Sequence, residues 1–411
     1  MIICEPNACT GCMACMNICP YNAIEEHQDK KGFYIPFIFP SKCVECGLCQ
    51  RVCPVNQKNF SNDSKYHRVY GCWNIHEEIR KKSSSGGIFP LLAKKVISLG
   101  GVVFGAIFNS ETKEIIHTQT SSIEGLTQMY GSKYVQSKMS LNYRDVKQLL
   151  QYGYPILFSG TPCQINGLRN YLRKDYDNLF CIDLICHGVP SPAIFSLYLT
   201  EQEQIAQNHV SEINFREKYP SWELYSMKLN FEDGSKYIND MNTDPFLKSF
   251  LGNYCLRESC YSCKYTNLNR QGDITLGDFW GYLSEERKLH NDHLGISLVL
   301  VNTLKGQKFF NSISHDLVYS EKSLDEAVLG NPSLRSPSLQ PSLYTNFWKD
   351  FFNEELLSSN SAVKIRLNSP SIKYTLRLWF DEHFYLFPYP LKSLYRIIKY
   401  REAAKKIKIN E

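Results

Sequence analysis

Apolar and polar residues follow one another in blocks that predict alternating strands and helices. Apolar runs at 101–108, 155–160 and 179–185 predict strands, and the last two are continuous enough for strands buried on both faces of a sheet. A helical pattern begins after Pro162, between these two strands. The order strand, helix, strand is typical of a parallel α/β unit, so we expect one in the middle of the chain.

Shorter segments extend this pattern on both sides. Further elements are predicted as strands at 69–73, 273–277 and 296–301, a helix at 88–97 and a hairpin at 225–235. Polar residues 56–67 indicate a linker, and the pattern becomes unclear from about Gly330. Residues 391–408 predict a basic amphipathic helix. Its basic residues are Lys392, Arg396, Lys399, Arg401, Lys405, Lys406 and Lys408.

Composition is that of a folded protein with more than one domain. The 411 residues allow two or three domains, and 43% hydrophobic with 13% aromatic residues exclude a disordered chain. The net charge of +5 is too small to indicate nucleic-acid binding, and no apolar run is long enough to span a bilayer. Residues 1–5 do not resemble a secretion signal, so the sixteen Cys indicate metal binding in a reducing, cytoplasmic compartment.

Two runs near the N-terminus repeat the spacing Cys-x2-Cys-x2-Cys-x3-Cys-Pro. Two-cluster bacterial ferredoxins have this spacing, and in them the fourth Cys of each run binds the cluster of the other run. The predicted ligands are Cys9, Cys12, Cys15 and Cys53 for a first 4Fe–4S cluster, and Cys43, Cys46, Cys49 and Cys19 for a second. Zinc sites seldom repeat this register, and a disulfide framework is not expected without a secretion signal.

A second set of cysteines follows the buried strands. Cys163 and Cys186 each stand just after one of them, and Cys260 and Cys263 form a Cys-x2-Cys pair with Cys255 shortly before. The carboxyl ends of parallel strands converge on one crevice, so Cys163 and Cys186 can approach each other and the pair can close over them. This predicts a third 4Fe–4S cluster. The alternative is four ordinary buried cysteines.

Electron transfer from clusters to an organic substrate needs a converter between one-electron and two-electron steps, which a flavin provides. Small residues at 84–87, before a predicted helix, offer backbone amides for a phosphate, and 131–134 supplies a second turn with the cation Lys133. Neither turn is specific alone, because such turns are usually plain loops. The sequence has no Gly-x-Gly-x-x-Gly after a strand, so a Rossmann site is not supported.

Five motifs in order resemble the coenzyme F-420 hydrogenase/dehydrogenase beta-subunit family, here fused behind a two-cluster ferredoxin domain. They are Ser85-Gly86-Gly87, Gly131-Ser132-Lys133-Tyr134, 160–164, 183–192, and Cys260-x2-Cys263 followed by 273–281. The resemblance covers about 68–305 and implies FAD and one 4Fe–4S cluster. It places the cluster on Cys163, Cys186, Cys260 and Cys263, with Cys255 competing with Cys186, and the flavin loops on Ser85, Gly86, Gly87, Ser132 and Lys133.

The expected architecture is α+β and α/β, with several domains. A small two-cluster ferredoxin domain at 1–60 precedes an α/β flavoprotein domain with a mixed sheet at 68–310. A helical C-terminal region of unknown role follows at 311–411.

The expected function is that of an iron–sulfur flavoprotein oxidoreductase acting on an organic substrate or a deazaflavin-like coenzyme. The resemblance also suggests a biosynthetic role with surface polysaccharides. A redox partner protein or a soluble donor would exchange electrons with the clusters, and no side chain stands out as a catalytic acid.

Two alternatives remain for the function. In the first, the chain is an electron-transfer subunit without a substrate of its own. In the second, the basic helix binds the chain weakly to an anionic membrane surface. A solvated basic helix packed on the domain explains the same pattern as the membrane contact does.

Overall fold

The structure is a computed structural model that describes residues 1–57, 68–280, 282, 293–353 and 391. Its strands are β1 Ile24–Gln28, β2 Tyr34–Ile38, β3 Arg68–Asn74, β4 Val102–Asn109, β5 Glu114–Thr120, β6 Ile156–Gly160, β7 Leu179–Leu184, β8 Val210–Glu217, β9 Ser226–Phe231, β10 Lys236–Asp240, β11 Ile274–Asp278, β12 Ser297–Val301 and β13 Leu317–Lys322. Its α-helices are α1 Ala14–Ile18, α2 Leu48–Val52, α3 Glu77–Lys81, α4 Ile88–Ser98, α5 Ile123–Gln128, α6 Asn142–Gln151, α7 Pro162–Leu172, α8 Pro192–Ala206, α9 Pro245–Leu251, α10 Leu304–Asn311, α11 Leu324–Leu329 and α12 Tyr344–Phe352.

Eight strands form one mixed sheet, in the order β13-β3-β12-β11-β7-β6-β4-β5. Strands β4, β6, β7 and β11 run parallel to their neighbours within this group, and the outer pairs are antiparallel. The predicted strand–helix–strand unit is confirmed, because β6 pairs with β7 in parallel and α7 connects them. All five residues of β12 are buried, as its continuous apolar sequence predicts.

A second sheet of three antiparallel strands, β10-β9-β8, lies beside this layer. The predicted hairpin is confirmed as β9 and β10, and Gly234 in its turn has φ +85°. A core of large aromatic side chains packs under this sheet, where Phe195 contacts Phe215 and Phe246. These contacts join α8 to α9 and to β8.

The N-terminal domain consists of the hairpin β1–β2 and the short helices α1 and α2. Helix α1 packs on α2 and also on α6 and α7 of the larger domain. Met13 and Val52 of the first domain share one buried cluster with Phe158 and Leu168 of the second. The predicted arrangement of a ferredoxin-type domain followed by an α/β domain is therefore confirmed, and the two domains share an interior.

The large sheet extends past residue 310, the predicted end of the α/β domain. Strand β13 pairs antiparallel with β3, although its residues fall in the region predicted to be helical. Helices α11 and α12 follow it. The predicted basic helix at 391–408 lies outside the described residues except for Leu391. In the described part of the chain, no helix has the length and apolar character needed to cross a membrane.

Candidate functional site

The first group of N-terminal cysteines lies where the loop before α1 meets the end of α2. Gly11 and Met13 adopt left-handed backbone conformations, with φ +67° and +58°, which turn the loop around this group. Burial, and then the charges of Cys53 and Cys9, raise the pKa of the Cys12 thiol to about 12. Burial and the charges of Cys12, Cys9 and Cys53 also raise the pKa of Cys15. The structure thus brings together the four ligands predicted for the first cluster.

Cys4 lies beside this group, a position that no sequence pattern predicted. Hydrogen bonds to the thiols of Cys53 and Cys9 raise the pKa of Cys4. Outside the Cys-x2-Cys runs, a single cysteine near the N-terminus gives no spacing signal, so its position depends on the folded loop.

The second group lines one small cavity between the β1–β2 hairpin and α2. The cavity is lined by all four ligands predicted for the second cluster, Cys19, Cys43, Cys46 and Cys49. Gly47, with φ +71°, precedes α2 inside this loop. Burial, and the charges of Cys46 and Cys43, raise the pKa of Cys49.

Both groups fit cubane clusters by the chemistry of their donors. The buried thiols of these groups, such as those of Cys12, Cys15 and Cys49, ionise with difficulty unless a cation stabilises the thiolate, and iron supplies that charge. In the described ranges, no three His, Cys, Asp or Glu side chains meet closely enough to hold a single ion. A cubane spreads its four thiolates over different irons, so its ligands surround a volume instead of meeting at a point.

The third group of cysteines assembles at the carboxyl ends of β6 and β7. Cys163 lies in the first turn of α7, and Cys186 follows β7. After burial, the charges of Cys260, Cys163 and Cys263 raise the pKa of Cys186. The thiol of Cys163 also contacts the hydroxyl of Thr161 at 3.1 Å. All four predicted thiols are therefore neighbours.

Cys255, the competing ligand, is buried more deeply than the four thiols of this group, although Cys260 packs against the same core. It is 0% exposed and belongs to the aromatic core beneath the three-stranded sheet. Burial raises the pKa of Cys255, and no other cysteine contributes to that shift. The geometry therefore favours Cys186 over Cys255 as the fourth thiol.

A cavity of about 420 Å³ connects the third group with the predicted flavin loops. Cys163 and Cys186 line it, together with Thr10 and Gly11 of the N-terminal domain. The remaining predicted positions that line it are Ser85, Gly87, Ser132 and Lys133. This cavity is therefore where the described residues of both domains and of the third cysteine group meet.

The N-terminus of α4 opens onto this cavity without a capping side chain. Gly87 is the N-cap, with φ +82°, so the helix has no capping hydrogen bond from the side chain of its N-cap residue. Amides at a helix N-terminus attract phosphate. Gly86 does not line the cavity: its N–H donates to Ser297 Oγ at 2.9 Å, and a Cβ there would lie 2.4 Å from the carbonyl oxygen of Cys72. Gly86 thus allows the loop to pack on β3 and β12.

Lys133 reaches back to its own turn instead of extending across the cavity. Its Nζ donates to the carbonyls of Gln128 at 2.8 Å, Tyr130 at 2.6 Å and Gly131 at 3.2 Å. These carbonyls follow the end of α5, so the cation stabilises that helix terminus. Burial lowers the pKa of Lys133 to about 7.

One wall of the cavity is aromatic and contains a buried cation, Arg216, that no sequence pattern predicted. The guanidinium forms an ion pair with Asp278 and lies 4.3 Å from the ring centroid of Tyr225 and 5.4 Å from that of Trp280. Its Nε has no hydrogen-bond partner among the residues that the structure describes. Asp278 and Trp280 fall within the 273–281 motif, whereas Arg216 lies in an ordinary strand and has no local signal.

Comparisons with known proteins support both domains. Residues 154–327 match the family model for the C terminus of the beta subunit of coenzyme F420 hydrogenase/dehydrogenase, and residues 8–57 match the 4Fe–4S dicluster domain. These matches confirm the resemblance. A chain of the F420-reducing NiFe hydrogenase complex from Methanosarcina barkeri aligns with 15% identity and a TM-score of 0.42, over 70% of this chain and 88% of that one. At this level the likeness says nothing about function. No curated protein matches the chain.

Proposed function

We propose that this chain transfers electrons to an organic molecule. Its residues 154–327 match the family of the coenzyme F420 hydrogenase/dehydrogenase beta subunit, and its residues 8–57 match the 4Fe–4S dicluster domain. It is an iron–sulfur electron-transfer protein. Our proposal adds a third 4Fe–4S cluster on Cys163, Cys186, Cys260 and Cys263, and FAD in the cavity beside it.

The observation that carries this proposal is the arrangement along α7. Cys163 lies in the first turn of the helix, and Gly167 lies one turn later on the same face. A Cβ at Gly167 would lie 3.0 Å from the Sγ of Cys12, so Gly167 allows the first N-terminal group to pack directly on this helix. The helix therefore holds a thiol of the third group next to the first group, and electrons can pass between neighbouring clusters.

The cavity fits a flavin by the donors that it presents. The uncapped amides at Gly87 would hold phosphate, Ser132 would contribute its turn, and the wall with Tyr225 and Trp280 suits a planar ring. When bound, FAD supplies hydride exchange with an organic substrate. Cys163 and Cys186 line the same cavity, so the residues named above would hold that group on the side of the third cysteine group.

The substrate is an organic hydride acceptor or donor of the deazaflavin type, or an intermediate of polysaccharide biosynthesis. The second candidate function is an electron-transfer subunit that serves a partner enzyme, because the matching family model describes a hydrogenase or dehydrogenase subunit. Flavin content distinguishes the two candidates, since a subunit that only relays electrons needs clusters but no flavin.

Anaerobic purification, with iron, sulfide and flavin quantified per chain, tests the proposal. We expect about twelve irons and about one FAD per chain, as three cubanes and one converter require. About eight irons would eliminate the third cluster. Twelve irons without flavin would favour the relay subunit.

A matched pair of variants tests the ligand assignment. We expect C186S to lose about four irons while the N-terminal clusters remain, because Cys186 is one of the four neighbouring thiols. C255S should keep the wild-type iron content, since Cys255 lies in the aromatic core. Iron analysis and EPR of the reduced protein check both variants. The reverse result would make Cys255 the ligand.

A further inference from the structure

Arg257 joins the N-terminal domain to the third cysteine group. It is 4% exposed and stands three residues before Cys260. Its Nε donates to the carbonyl of Cys9 at 2.7 Å, and its Nη1 donates to the carbonyl of Tyr34 at 3.0 Å. Nη1 also contacts Gln136 Oε1 at 3.2 Å. A single buried side chain thus connects the loop with ligands of the first cluster to the segment with ligands of the third cluster.

The N-terminal loop is shaped to admit this guanidinium. Gly11 has φ +67°, and a Cβ there would lie 2.9 Å from Arg257 Nη1 and 2.4 Å from Gln136 Nε2. Gln136 is itself fixed by Tyr34, whose N–H donates to Gln136 Oε1 at 3.0 Å and whose carbonyl accepts from Nε2 at 3.1 Å. Any side chain at position 11 would displace the cation, so the contact is built into the backbone.

The charge of Arg257 has no carboxylate to balance it among the described residues. Its hydrogen-bond acceptors are two backbone carbonyls and an amide oxygen, all neutral. A buried cation is costly unless negative charge lies nearby. The nearby groups that become negative are thiols on both sides of the domain junction.

Arg257 is next to predicted cluster ligands on both sides of the junction. It bonds the carbonyl of Cys9, and it stands three residues before Cys260 on the chain. A cubane held by four thiolates is a net anion, and its reduction potential depends on the charges and hydrogen bonds around it.

We infer that Arg257 is the shared countercharge of the first N-terminal cluster and of the Cys163-centred cluster, and that it raises the reduction potential of both. Reduction adds negative charge to a cluster, and a fixed cation beside it stabilises the reduced form. The effect on the Cys163-centred cluster rests on the proposed function. The effect on the first N-terminal cluster rests only on the dicluster domain.

Redox titration of the full-length protein, followed by EPR, tests this inference with R257Q and R257K. In R257Q we expect the reduction equilibrium of the first N-terminal cluster to shift about tenfold against reduction, which is about 59 mV to lower potential for one electron. The second N-terminal cluster should keep its potential, and R257K, which retains the charge, should titrate like the wild type.

Arg144 offers a matched control, because it also bonds the N-terminal domain across the junction. Its Nε donates to the carbonyl of Asn17 at 2.8 Å and its Nη2 donates to that of Cys19, a predicted ligand of the second N-terminal cluster, at 2.5 Å. R144Q should leave the potential of the first cluster unchanged. An unshifted potential in R257Q, or an equal shift in R144Q, would overturn the role of Arg257.

Loss of iron in R257Q would not leave the question open. R257K then decides: full iron and a wild-type potential would show that the cluster requires a positive charge at this position, and a lowered potential would overturn the inference. If the protein held only two clusters, the proposed function would be refuted, but the inference about Arg257 and the first N-terminal cluster would not. The potential of the first N-terminal cluster in R257Q would still support or overturn the role of Arg257.

Discussion

The side chain of His117 lines the cavity and is held in one protonation state. Its Nε2 lies 3.0 Å from the carbonyl oxygen of Ser159, and its Nδ1 lies 2.8 Å from Ser137 Oγ. Gln164 donates to that hydroxyl oxygen at 3.1 Å, so the hydroxyl hydrogen points to Nδ1. The ring therefore carries its proton on Nε2. Burial lowers the pKa of His117 to about 4.

Because the pKa of His117 is lowered in the folded protein, the free energy of unfolding depends on pH in the acid range. In the unfolded chain, histidine has a pKa of about 6.5, so below that pH the unfolded state takes up a proton that the native state does not. The contribution to stability is present above about pH 6.5 and is lost as pH falls towards about 4. We expect the wild type to lose about 1 kcal/mol more than H117N between about pH 7.5 and pH 5.5.

Thermal unfolding of both proteins at the two pH values measures this difference. H315N is the control for replacement of a histidine at the surface, because the side chain of His315 is 73% exposed. Identical pH profiles for the wild type and H117N would contradict the neutral, buried state of His117.

Single residues also show where sequence reasoning succeeds. The eight N-terminal cysteines could be assigned because their ligand spacing is local and repeated. Arg257 could not, since its partners Cys9 and Tyr34 lie 248 and 223 residues away. The resemblance places Gly86 in a flavin loop, whereas the structure packs it on β3 and β12; a small-residue turn has the same sequence in both situations.

At the scale of elements, Asp183 ties the strand before Cys186 to the segment after Cys263. The carboxylate is 0% exposed and accepts from the N–H groups of Gln271 at 2.9 Å and Gly272 at 3.0 Å. Arg270 donates to it at 3.3 Å, and Thr275 donates to it as well. The ends of β7 and β11 are thereby fixed beside the third cysteine group.

We expect D183N to destabilise the protein by about 3 kcal/mol or more, because it removes the negative partner of a buried ion pair. Iron at the third group should fall while the N-terminal clusters remain. Differential scanning calorimetry and iron analysis check this result. D175N is the control, since Asp175 pairs with Arg169 at 3.3 Å but its side chain is 94% exposed. If destabilised D183N kept its full iron content, Asp183 would not be required for iron binding at the third cysteine group.

Elements were predictable where burial leaves a continuous apolar sequence. Strands β6, β7 and β12 lie inside the sheet and were recognised from their apolar runs. Strands β5 and β13 are at its two edges, where one face meets solvent and polar residues interrupt the run, and both were missed. Strand β13 is created by long-range pairing with β3, which no short window of sequence records, whereas β5 forms a local hairpin with β4.

At the scale of the whole molecule, the two domains are joined by a common core. Leu168 of α7 is 0% exposed and belongs to the same buried cluster as Met13 and Val52. Arg144 adds hydrogen bonds from α6 to the carbonyls of Asn17 and Met16. The N-terminal domain therefore depends on the larger domain for part of its burial.

We expect L168A to destabilise both domains together by about 2–5 kcal/mol, because it opens a cavity under α1. The visible absorbance of the clusters and the far-ultraviolet circular dichroism should be lost at one shared, lower temperature. L304A serves as the control, since Leu304 is 68% exposed and its truncation should cost less than about 0.5 kcal/mol. Two separate transitions would show that the domains unfold independently.

Because Gly167 packs closely on Cys12, the N-terminal domain cannot be replaced freely by another ferredoxin. A foreign ferredoxin grafted onto residues 68–411 would arrive with a solvent-facing exterior where this chain has a contact surface. The graft would need matching apolar residues and a loop open enough for Arg257. Swapping electron carriers here is therefore a problem of redesigning a protein interior, and ligand spacing alone does not identify a compatible donor.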